Sequence, residues 1–370
     1  MAFFVNPEAK VCADKVAESC HRKFGLLVGS GTTSLALACR MAPVGRKRVI
    51  VPAISCIHVL YAILYAECEP VFVDVLPNTG LLDPEAVRQA LERDPVIGAV
   101  IVVHTYGYVA DVHAIASIAR SKSVLVIEDA AQAQGGSYAD GSPVGSLGDL
   151  SLVSFGHTKI LDLGSGGVLM MDSQEMYSAC LALMENLAVT PINLDDLLAS
   201  FRSNYYSNWR LRTSDPLALS RIGKLYLSYS NVFIHRSDNA TPKRVITALP
   251  RLQDRVAERR ELASKYTFRL ADVTEIQLCR ISSGSVPWRF VFLAPENERE
   301  SLLERLRCGD VDASSWYPSL APFYKSTSDP QDLPNSAIFE RKVINLWTTP
   351  GYGVRRVDLA CDLIRGHFGR

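Results

Sequence analysis

A lysine that follows a predicted strand is the first residue of this sequence that could do chemistry. The stretch 154–167 reads SFGHTKILDLGSGG, so Lys159 comes just after the apolar run 150–155 and before a cluster of glycines. Open α/β sheets bind their ligands at the carboxyl ends of their strands, and a lysine amine placed there can form a Schiff base with a carbonyl compound. Taken alone, Lys159 is more typical of a solvated surface lysine.

A carboxylate at the end of another predicted strand supplies the second signal. The segment 124–134, VLVIEDAAQAQ, leads an apolar run into Glu128 and Asp129. A carboxylate at a buried strand end needs a cationic partner, and a protonated pyridine nitrogen would be one. The pair of Lys159 and Asp129 is what pyridoxal 5'-phosphate (PLP) chemistry requires. An N-cap of the following helix is the competing interpretation of Asp129.

A glycine-rich turn at a predicted helix start supplies the third signal. Residues 29–35, GSGTTSL, follow a short apolar run and open a helical pattern. Small residues at a helix start expose backbone N–H groups, and the helix dipole favours a phosphate there. Taken alone, this turn is explained by an ordinary helix cap. Together with Lys159 and Asp129, the turn predicts a site that binds PLP at three points.

With these motifs the sequence resembles the DegT/DnrJ/EryC1/StrS family of PLP-dependent aminotransferases, which act mostly on nucleotide-linked keto sugars. The resemblance covers nearly the whole chain, in the family's order and with near-family spacing. It implies the α/β architecture of PLP-dependent transferases of fold type I, with a mostly parallel sheet in a large domain and a smaller C-terminal α/β domain. The matching segments are SGTTSLAL from Ser30, VPAISC from Val51, PVFVDV from Pro70, VHTYGYVAD from Val103, VIEDAAQAQG from Val126, VGSLGDLSLVSFGHTK from Val144, GSGG from Gly164, VDASSWYPSLAPFY from Val311 and NLWTTPGY from Asn345.

The resemblance implies a role for each matching residue. Lys159 would be the catalytic residue that binds the cofactor covalently and then moves a proton between cofactor and substrate. Asp129 would pair with the pyridinium, and Gln132 would hydrogen-bond the phenolic oxygen of PLP, although a helix-surface glutamine is the alternative. The phosphate-binding residues would be Gly31, Thr32, Thr33 and Ser154, the last of which also fits a turn serine.

One position departs from the family pattern. Where the family commonly has an aromatic residue stacking on the pyridine ring, the VPAISC segment has Cys56, whose thiol offers little stacking area. His58 or another aromatic residue is the candidate to replace it, although a structural histidine is the more common interpretation of His58. His104 is predicted to hydrogen-bond backbone near its strand end, and Glu128 to face away from Asp129.

Length and composition limit the remaining possibilities. The 370 residues suggest two domains, predicted as 1–248, with an insertion at about 187–243, and 249–370, which begins with a long linking helix over 249–270. The 39 basic and 39 acidic residues balance, which argues against a nucleic-acid partner. Nine cysteines without framework or zinc spacing indicate reduced thiols, and therefore a cytoplasmic protein with no metal site. We expect neither a signal peptide nor a membrane span.

Alternating apolar runs and helical patterns predict the elements of the large domain. The predicted strands are 48–51, 70–75, 99–104, 123–128, 150–155 and 167–171. The predicted helices between them are 55–66, 83–91, 111–120 and 173–185.

The insertion at about 187–243 has two interpretations. Its interleaved aromatic and arginine residues, FRSNYYSNWRLR from Phe201, could line a site for an anionic, stacked group such as a nucleotide diphosphate. A helical insertion that packs a dimer explains them about as well. In the resembled family an asparagine here contacts the PLP phosphate of the neighbouring subunit; the aligned position in this chain is Phe233, with Asn231 nearby.

The sequence therefore predicts an aminotransferase that takes an amino group from L-glutamate and passes it to a keto group of a nucleotide-linked sugar, in amino-sugar biosynthesis. The sugar and the expected homodimer with shared active sites are implied by the resemblance. Lys159 favours this over the related sugar dehydratases, in which a histidine replaces the lysine. The alternatives are an aminotransferase for a cyclitol or another non-sugar ketone, and a non-catalytic PLP-binding regulatory protein.

Overall fold

The computed structural model describes residues 6–212, 214–215, 217–324 and 333–369. The first half of the chain contains a seven-stranded sheet. The strands lie in the order β1-β7-β6-β5-β4-β2-β3. Only β7 runs against its neighbours, β1 and β6, so the described sheet is mostly parallel, as predicted. The strands are β1 Phe24–Val28, β2 Arg48–Pro52, β3 Glu69–Val73, β4 Ile97–Val103, β5 Leu125–Asp129, β6 Leu150–Ser154 and β7 Gly167–Met171.

Helices connect these strands, and their starts are encoded locally. The side chains of Asp83, Asp111 and Ser173 each cap a helix by accepting a hydrogen bond from a backbone N–H group of its first turn. The predicted helices and strands are confirmed, with ends that shift by at most two residues. The helices of this part are α1 Pro7–Ser19, α2 Gly31–Arg40, α3 Ile57–Tyr65, α4 Pro84–Arg93, α5 Val112–Ser121 and α6 Gln174–Glu185.

The predicted insertion at about 187–243 is helical. It contains α7 Leu194–Arg210, α8 Ala218–Ser228, α9 Ser230–Phe233 and α10 Thr241–Ala248. The aromatic side chains of α7, α8 and α9 pack into the same apolar cluster as α2 and α3. This insertion therefore covers the carboxyl-end side of the sheet near the start of α2.

A four-stranded antiparallel sheet follows α11 Leu252–Leu270, which accounts for the predicted linking helix. A separate apolar cluster joins this sheet to α11, α12 and α15. All its strands come after residue 248, where we predicted a domain boundary. Its elements are β8 Gln277–Leu278, β9 Arg289–Leu293, α12 Arg299–Cys308, β10 Ala313–Ser314, α13 Ala321–Tyr324, α14 Pro334–Lys342, β11 Val343–Trp347 and α15 Val354–His367.

Two further predictions concern the whole chain. All nine cysteines lie in the described residues and each is a free thiol. Within the described ranges, no helix combines the length and the apolar character that crossing a bilayer would require. Residues 1–5, part of the segment from which we predicted no signal peptide, lie outside the described residues.

Candidate active site

A cavity of 410 Å³ lies at the carboxyl ends of β5 and β6 and extends to the second sheet and the insertion. This volume is within the range of about 300–1,000 Å³ that is usual for cofactor and ligand sites. Most of the residues singled out from the sequence line this cavity together, although they come from four separate segments. They are Gly31, Thr32, Cys56, His58, Asp129, Gln132, Ser154 and Lys159.

Asp129 is the last residue of β5, and its side chain is 4% exposed. Its Oδ1 accepts a hydrogen bond from the Ala131 N–H at 2.9 Å. Burial raises the pKa of Asp129, and the charge of Lys159 acts in the opposite direction. In the described part of the chain no cationic nitrogen lies within 4.0 Å of the carboxylate. Asp129 is therefore a buried acid without an ion pair, which fits a site for a cationic ligand group.

Lys159 projects from the loop after β6, and its Nζ lies 5.9 Å from the centroid of the Trp288 ring. The loop is held from both sides, because Trp288 Nε1 donates to the Thr158 carbonyl at 2.5 Å and Arg259 Nη2 to the Lys159 carbonyl at 3.5 Å. Thr158 has a positive φ of 66°, an uncommon conformation for a β-branched residue. Among the described residues no carboxylate lies within 4.0 Å of Nζ. The amine is therefore available to a ligand.

The start of α2 and the end of β6 approach each other closely. Ser30 caps α2 by accepting a hydrogen bond from the Thr33 N–H at 2.9 Å. A Cβ on Gly31 would lie 2.9 Å from the Cβ and 3.0 Å from the Oγ of Ser154, so only glycine allows this approach. Thr32 also lines the cavity, and its Oγ1 lies 3.4 Å from His58 Nδ1. Free N–H groups at a helix start and adjacent hydroxyls form a site for a phosphate.

Thr33 corrects one prediction. It is fully buried and does not belong to the cavity lining. Its hydroxyl contacts the carbonyl oxygen of Phe233 at 3.1 Å and accepts from the His235 N–H at 3.2 Å. The Thr33 side chain therefore links α2 to residues 233–235, because the insertion covers that side of the helix. Its hydroxyl is not available to a phosphate.

Gln132 lines the cavity and is held by two partners. Its Oε1 accepts from the Tyr106 N–H at 2.9 Å, and its Nε2 donates to the Tyr317 hydroxyl at 3.2 Å. A primary amide has two N–H donors, so one is left for a ligand. The predicted contact with the phenolic oxygen of PLP stays a prediction.

Cys56 and His58 line the wall next to α3. The His58 ring makes edge contacts with Tyr226 and Phe233, at centroid distances of 5.2 and 4.9 Å. Burial and, to a smaller extent, the charge of Lys159 lower the pKa of His58 to about 4, so this ring is neutral at pH 7. Burial raises the pKa of the Cys56 thiol. Neither group is therefore charged at neutral pH.

Two further regions line the cavity besides the predicted cofactor-binding residues. Phe201, Arg202, Tyr205 and Tyr206 of α7 line the cavity, which agrees with the site-lining interpretation of the aromatic and basic run. The second sheet and its loops contribute Trp288, Arg289, Trp316 and Tyr317. Trp316 and Tyr317 lie in a family-like segment that we had matched only to the small domain. No sequence signal marked Trp288 or Arg289.

Glu128 faces away from the cavity, as predicted from the alternation of side chains along a strand. Its carboxylate binds the loop before β6, with Oε1 accepting from the Gly145 N–H at 2.5 Å and Oε2 from the Leu147 and Gly148 N–H groups, both at 2.9 Å. His104 Nδ1 accepts from the Ala110 N–H at 3.0 Å, which confirms the predicted backbone contact. With Nδ1 acting as an acceptor, Nε2 is the ring nitrogen that donates to Glu128 at 3.2 Å.

The chain matches the model of the DegT/DnrJ/EryC1/StrS aminotransferase family over residues 4–191 and 242–365. The matched ranges include all the predicted cofactor-binding residues. The unmatched stretch, 192–241, contains α7, α8 and α9, which line the cavity. The part of the cavity wall that these helices form is therefore not described by the family model.

Curated relatives match parts of the chain. An L-glutamine:2-deoxy-scyllo-inosose aminotransferase of Streptoalloteichus tenebrarius is 40% identical over 148 residues, 40% of this chain and 34% of that protein. A GDP-perosamine synthase of Escherichia coli O157:H7 is 33% identical over 169 residues, 45% of this chain and 46% of that protein. A pleiotropic regulatory protein of Geobacillus stearothermophilus is 36% identical over 180 residues, 48% of each chain. The chain thus spans about a third to a half of the length of these relatives.

Solved structures match almost the whole chain in fold. A DegT DnrJ EryC1 StrS aminotransferase from Brucella abortus has a TM-score of 0.77 at 21% identity and covers 100% of this chain and 92% of that one. DesV of S. venezuelae has a TM-score of 0.79 at 23% identity, with 99% and 90% covered. At these identities the similarity establishes the fold.

Proposed function

Because the chain belongs to the DegT/DnrJ/EryC1/StrS aminotransferase family, whose members depend on PLP, we propose that it moves an amino group from L-glutamate to a keto group of a nucleotide-linked sugar. The observation that carries this proposal is the pair of unpaired charged groups, Asp129 and Lys159, in one cavity beside a free helix start. An ordinary binding cleft does not require a buried acid without a cation.

The residues present fit the cofactor at each of its polar groups. Asp129 would pair with the pyridine nitrogen, and the free N–H of Gln132 would reach the phenolic oxygen. The start of α2 at Gly31, together with Ser154, would hold the phosphate. The close approach of Gly31 and Ser154 is the independent support, because a side chain at position 31 would fill this site.

When bound, PLP supplies an electron-accepting ring that stabilises negative charge at the substrate carbon. Lys159 is the group that removes and returns the proton at that carbon, since its amine lies in the cavity and forms no ion pair in the described chain. Asp129 keeps the pyridine nitrogen protonated. The buried rings of Tyr317 and Trp288 exclude water from one side of the site.

Two kinds of acceptor are supported to different extents. Arg202 at the cavity, with the rings of Phe201 and Tyr205 beside it, is consistent with an anionic group attached to a stacking base. The name of one relative, GDP-perosamine synthase, refers to a nucleotide-linked product, and that of another to an inosose acceptor and an L-glutamine donor. A nucleotide-linked keto sugar is our proposal, with a keto cyclitol as the second candidate. We also propose a homodimer.

The test of the reaction is an absorbance spectrum of the PLP-loaded protein before and after addition of L-glutamate. The expected result is a visible band that L-glutamate removes, with formation of one equivalent of 2-oxoglutarate. Lys159→Ala should lack both the band and the product, whereas Lys15→Ala, an exposed lysine on α1, should behave as wild type. A Lys159→Ala variant that still forms 2-oxoglutarate at the wild-type rate would contradict the assignment.

The acceptor is tested in a second experiment, with protein that has first been converted by the donor. Nucleotide-linked 4-keto sugars and 2-deoxy-scyllo-inosose are offered separately, and recovery of the visible band is followed together with the aminated product by mass spectrometry. Recovery with the inosose alone would replace the sugar by a cyclitol. A protein that binds PLP but reacts with no amino donor would favour the regulatory alternative, which the name of one relative also suggests.

A further inference from the structure

Arg289 is a buried cation that forms no ion pair with the residues the structure describes. It is the first residue of β9, it is 8% exposed, and it lines the cavity. Within the described ranges no carboxylate lies within 4.0 Å of its guanidinium, and its Nε has no hydrogen-bond partner. Burial lowers the pKa of Arg289 to about 9, so that the group is still charged at pH 7. The carboxylate of Asp312 acts on this charge only from beyond the 4.0 Å of an ion pair. A buried charge without a close partner is costly, and this points to a ligand that compensates it.

Two tryptophan rings contact this guanidinium without accepting hydrogen bonds from it. Its Cζ lies 4.5 Å from the centroid of the Trp288 ring and 3.0 Å from that of Trp347. Trp347 is in turn fixed by a hydrogen bond from its Nε1 to Asp312 at 2.6 Å. These cation–π contacts stabilise the charge but provide no acceptor for the N–H donors. Two neighbouring N–H groups of a guanidinium can donate to the two oxygens of a carboxylate.

The polar neighbours on this wall are already paired with each other. Ser314 Oγ donates to Asn345 Oδ1 at 2.8 Å, and Asn345 Nδ2 donates to the Trp316 carbonyl at 2.6 Å. Arg259, the other buried arginine near the site, donates to the Trp288 carbonyl at 3.2 Å. Arg289 differs from these groups because its donors have no acceptor among the described residues.

We propose that Arg289 binds the carboxylate of the amino donor. The Trp288 ring has the Lys159 Nζ 5.9 Å from its centroid and the Arg289 Cζ 4.5 Å from the same point, so one indole links the two cations. An α-amino acid carries its amine and its carboxylate on one carbon, and it fits a cavity in which a reacting amine and a carboxylate receptor lie against the same indole ring. The inference rests on the proposed function for the identity of the ligand.

Carboxylate binding can be tested without any reaction. Glutarate, a dicarboxylate without an amine, is titrated into the protein while tryptophan fluorescence is followed, because Trp288 and Trp347 enclose the guanidinium. Glutarate should change the fluorescence of the wild type, and the neutral glutaramide should not. Arg289→Met should weaken glutarate binding about 10- to 100-fold, the usual loss for a charge-assisted pair. Arg212→Met is the matched control, since Arg212 also stacks on a tryptophan, Trp209, but is exposed and outside the cavity.

The donor reaction then separates the two possible carboxylates. If Arg289 holds the α-carboxylate, Arg289→Lys should raise the KM for L-glutamate and L-glutamine by the same factor, about 10-fold or more. If it holds the side-chain carboxylate, only the KM for L-glutamate should rise. Equal glutarate affinity of wild type and Arg289→Met, or no glutarate binding to the wild type, would overturn the inference. A protein that binds glutarate through Arg289 but reacts with no donor would instead contradict the proposed function.

Discussion

Replacing Glu128 with glutamine should destabilise the protein strongly and leave the cavity chemistry intact. The carboxylate is fully buried, and its two oxygens accept hydrogen bonds from three backbone N–H groups and two side chains. A glutamine has only one acceptor oxygen in its side chain. Its NH₂ group would therefore face hydrogen-bond donors, either the N–H groups of Leu147 and Gly148 or the three donors that contact the other oxygen. Losing two hydrogen bonds to a charged group costs about 3–6 kcal/mol.

The pKa of Glu128 leads to a similar magnitude by a separate route. Burial alone would raise this pKa, but the hydrogen bond with His104, together with hydrogen bonds from Tyr138 and Gly148, lowers it to about 2. A folded pKa below the unfolded one adds stability above pH 4.5, and this stability is lost as the pH falls toward 2. The shift corresponds to about 3 kcal/mol. The difference between wild type and Glu128→Gln should therefore be smaller at pH 3 than at pH 7.

The assay is thermal unfolding of wild type, Glu128→Gln and Glu67→Gln, followed by circular dichroism at pH 7 and pH 3. For a chain of this length the loss corresponds to a melting temperature lower by about 4–8 °C at pH 7. Glu67 is the control, because its side chain is 87% exposed and its removal should change stability by less than about 0.5 kcal/mol. A Glu128→Gln variant that melts within a degree of wild type, or that is equally destabilised at both pH values, would refute the reasoning.

Three further predictions concern the cavity. Gly31→Ala should weaken PLP binding about 10-fold or more in an equilibrium titration, because the new Cβ would meet Ser154 at 2.9 Å; unchanged affinity would contradict the phosphate site. Asp129→Asn should melt near the wild-type temperature yet slow the reaction with L-glutamate about 100-fold, measured in single turnovers, because the neutral amide cannot hold the pyridine proton. His58→Gln should not alter the shape of the pH–rate profile above pH 5, since the pKa of His58 is lowered to about 4. The lowered pKa also means that wild type loses stability relative to His58→Gln as the pH falls from 6.5 toward 4, which melting curves would detect.

Most of the parallel sheet could be predicted from sequence because its signals are local. The apolar segment that became β4 is buried along its whole length, and short-range capping by Asp83 and Asp111 starts the next helices. The same locality explains why Glu128 and Asp129 could be assigned to opposite faces of one strand. The insertion could not be predicted in this way, because the aromatic side chains of α7 pack against partners that come much later in the chain, such as Trp316.

The sequence by itself determined which reactive groups end up at the carboxyl edge of the sheet. Lys159 and Asp129 each follow a strand whose direction and end are encoded by the residues next to them, and parallel strands bring such ends to one edge. Only the tertiary structure decided that the Thr33 hydroxyl is taken up by residues 233–235 and that Arg289 enters the cavity. Both outcomes depend on contacts between segments more than a hundred residues apart, which no local pattern encodes.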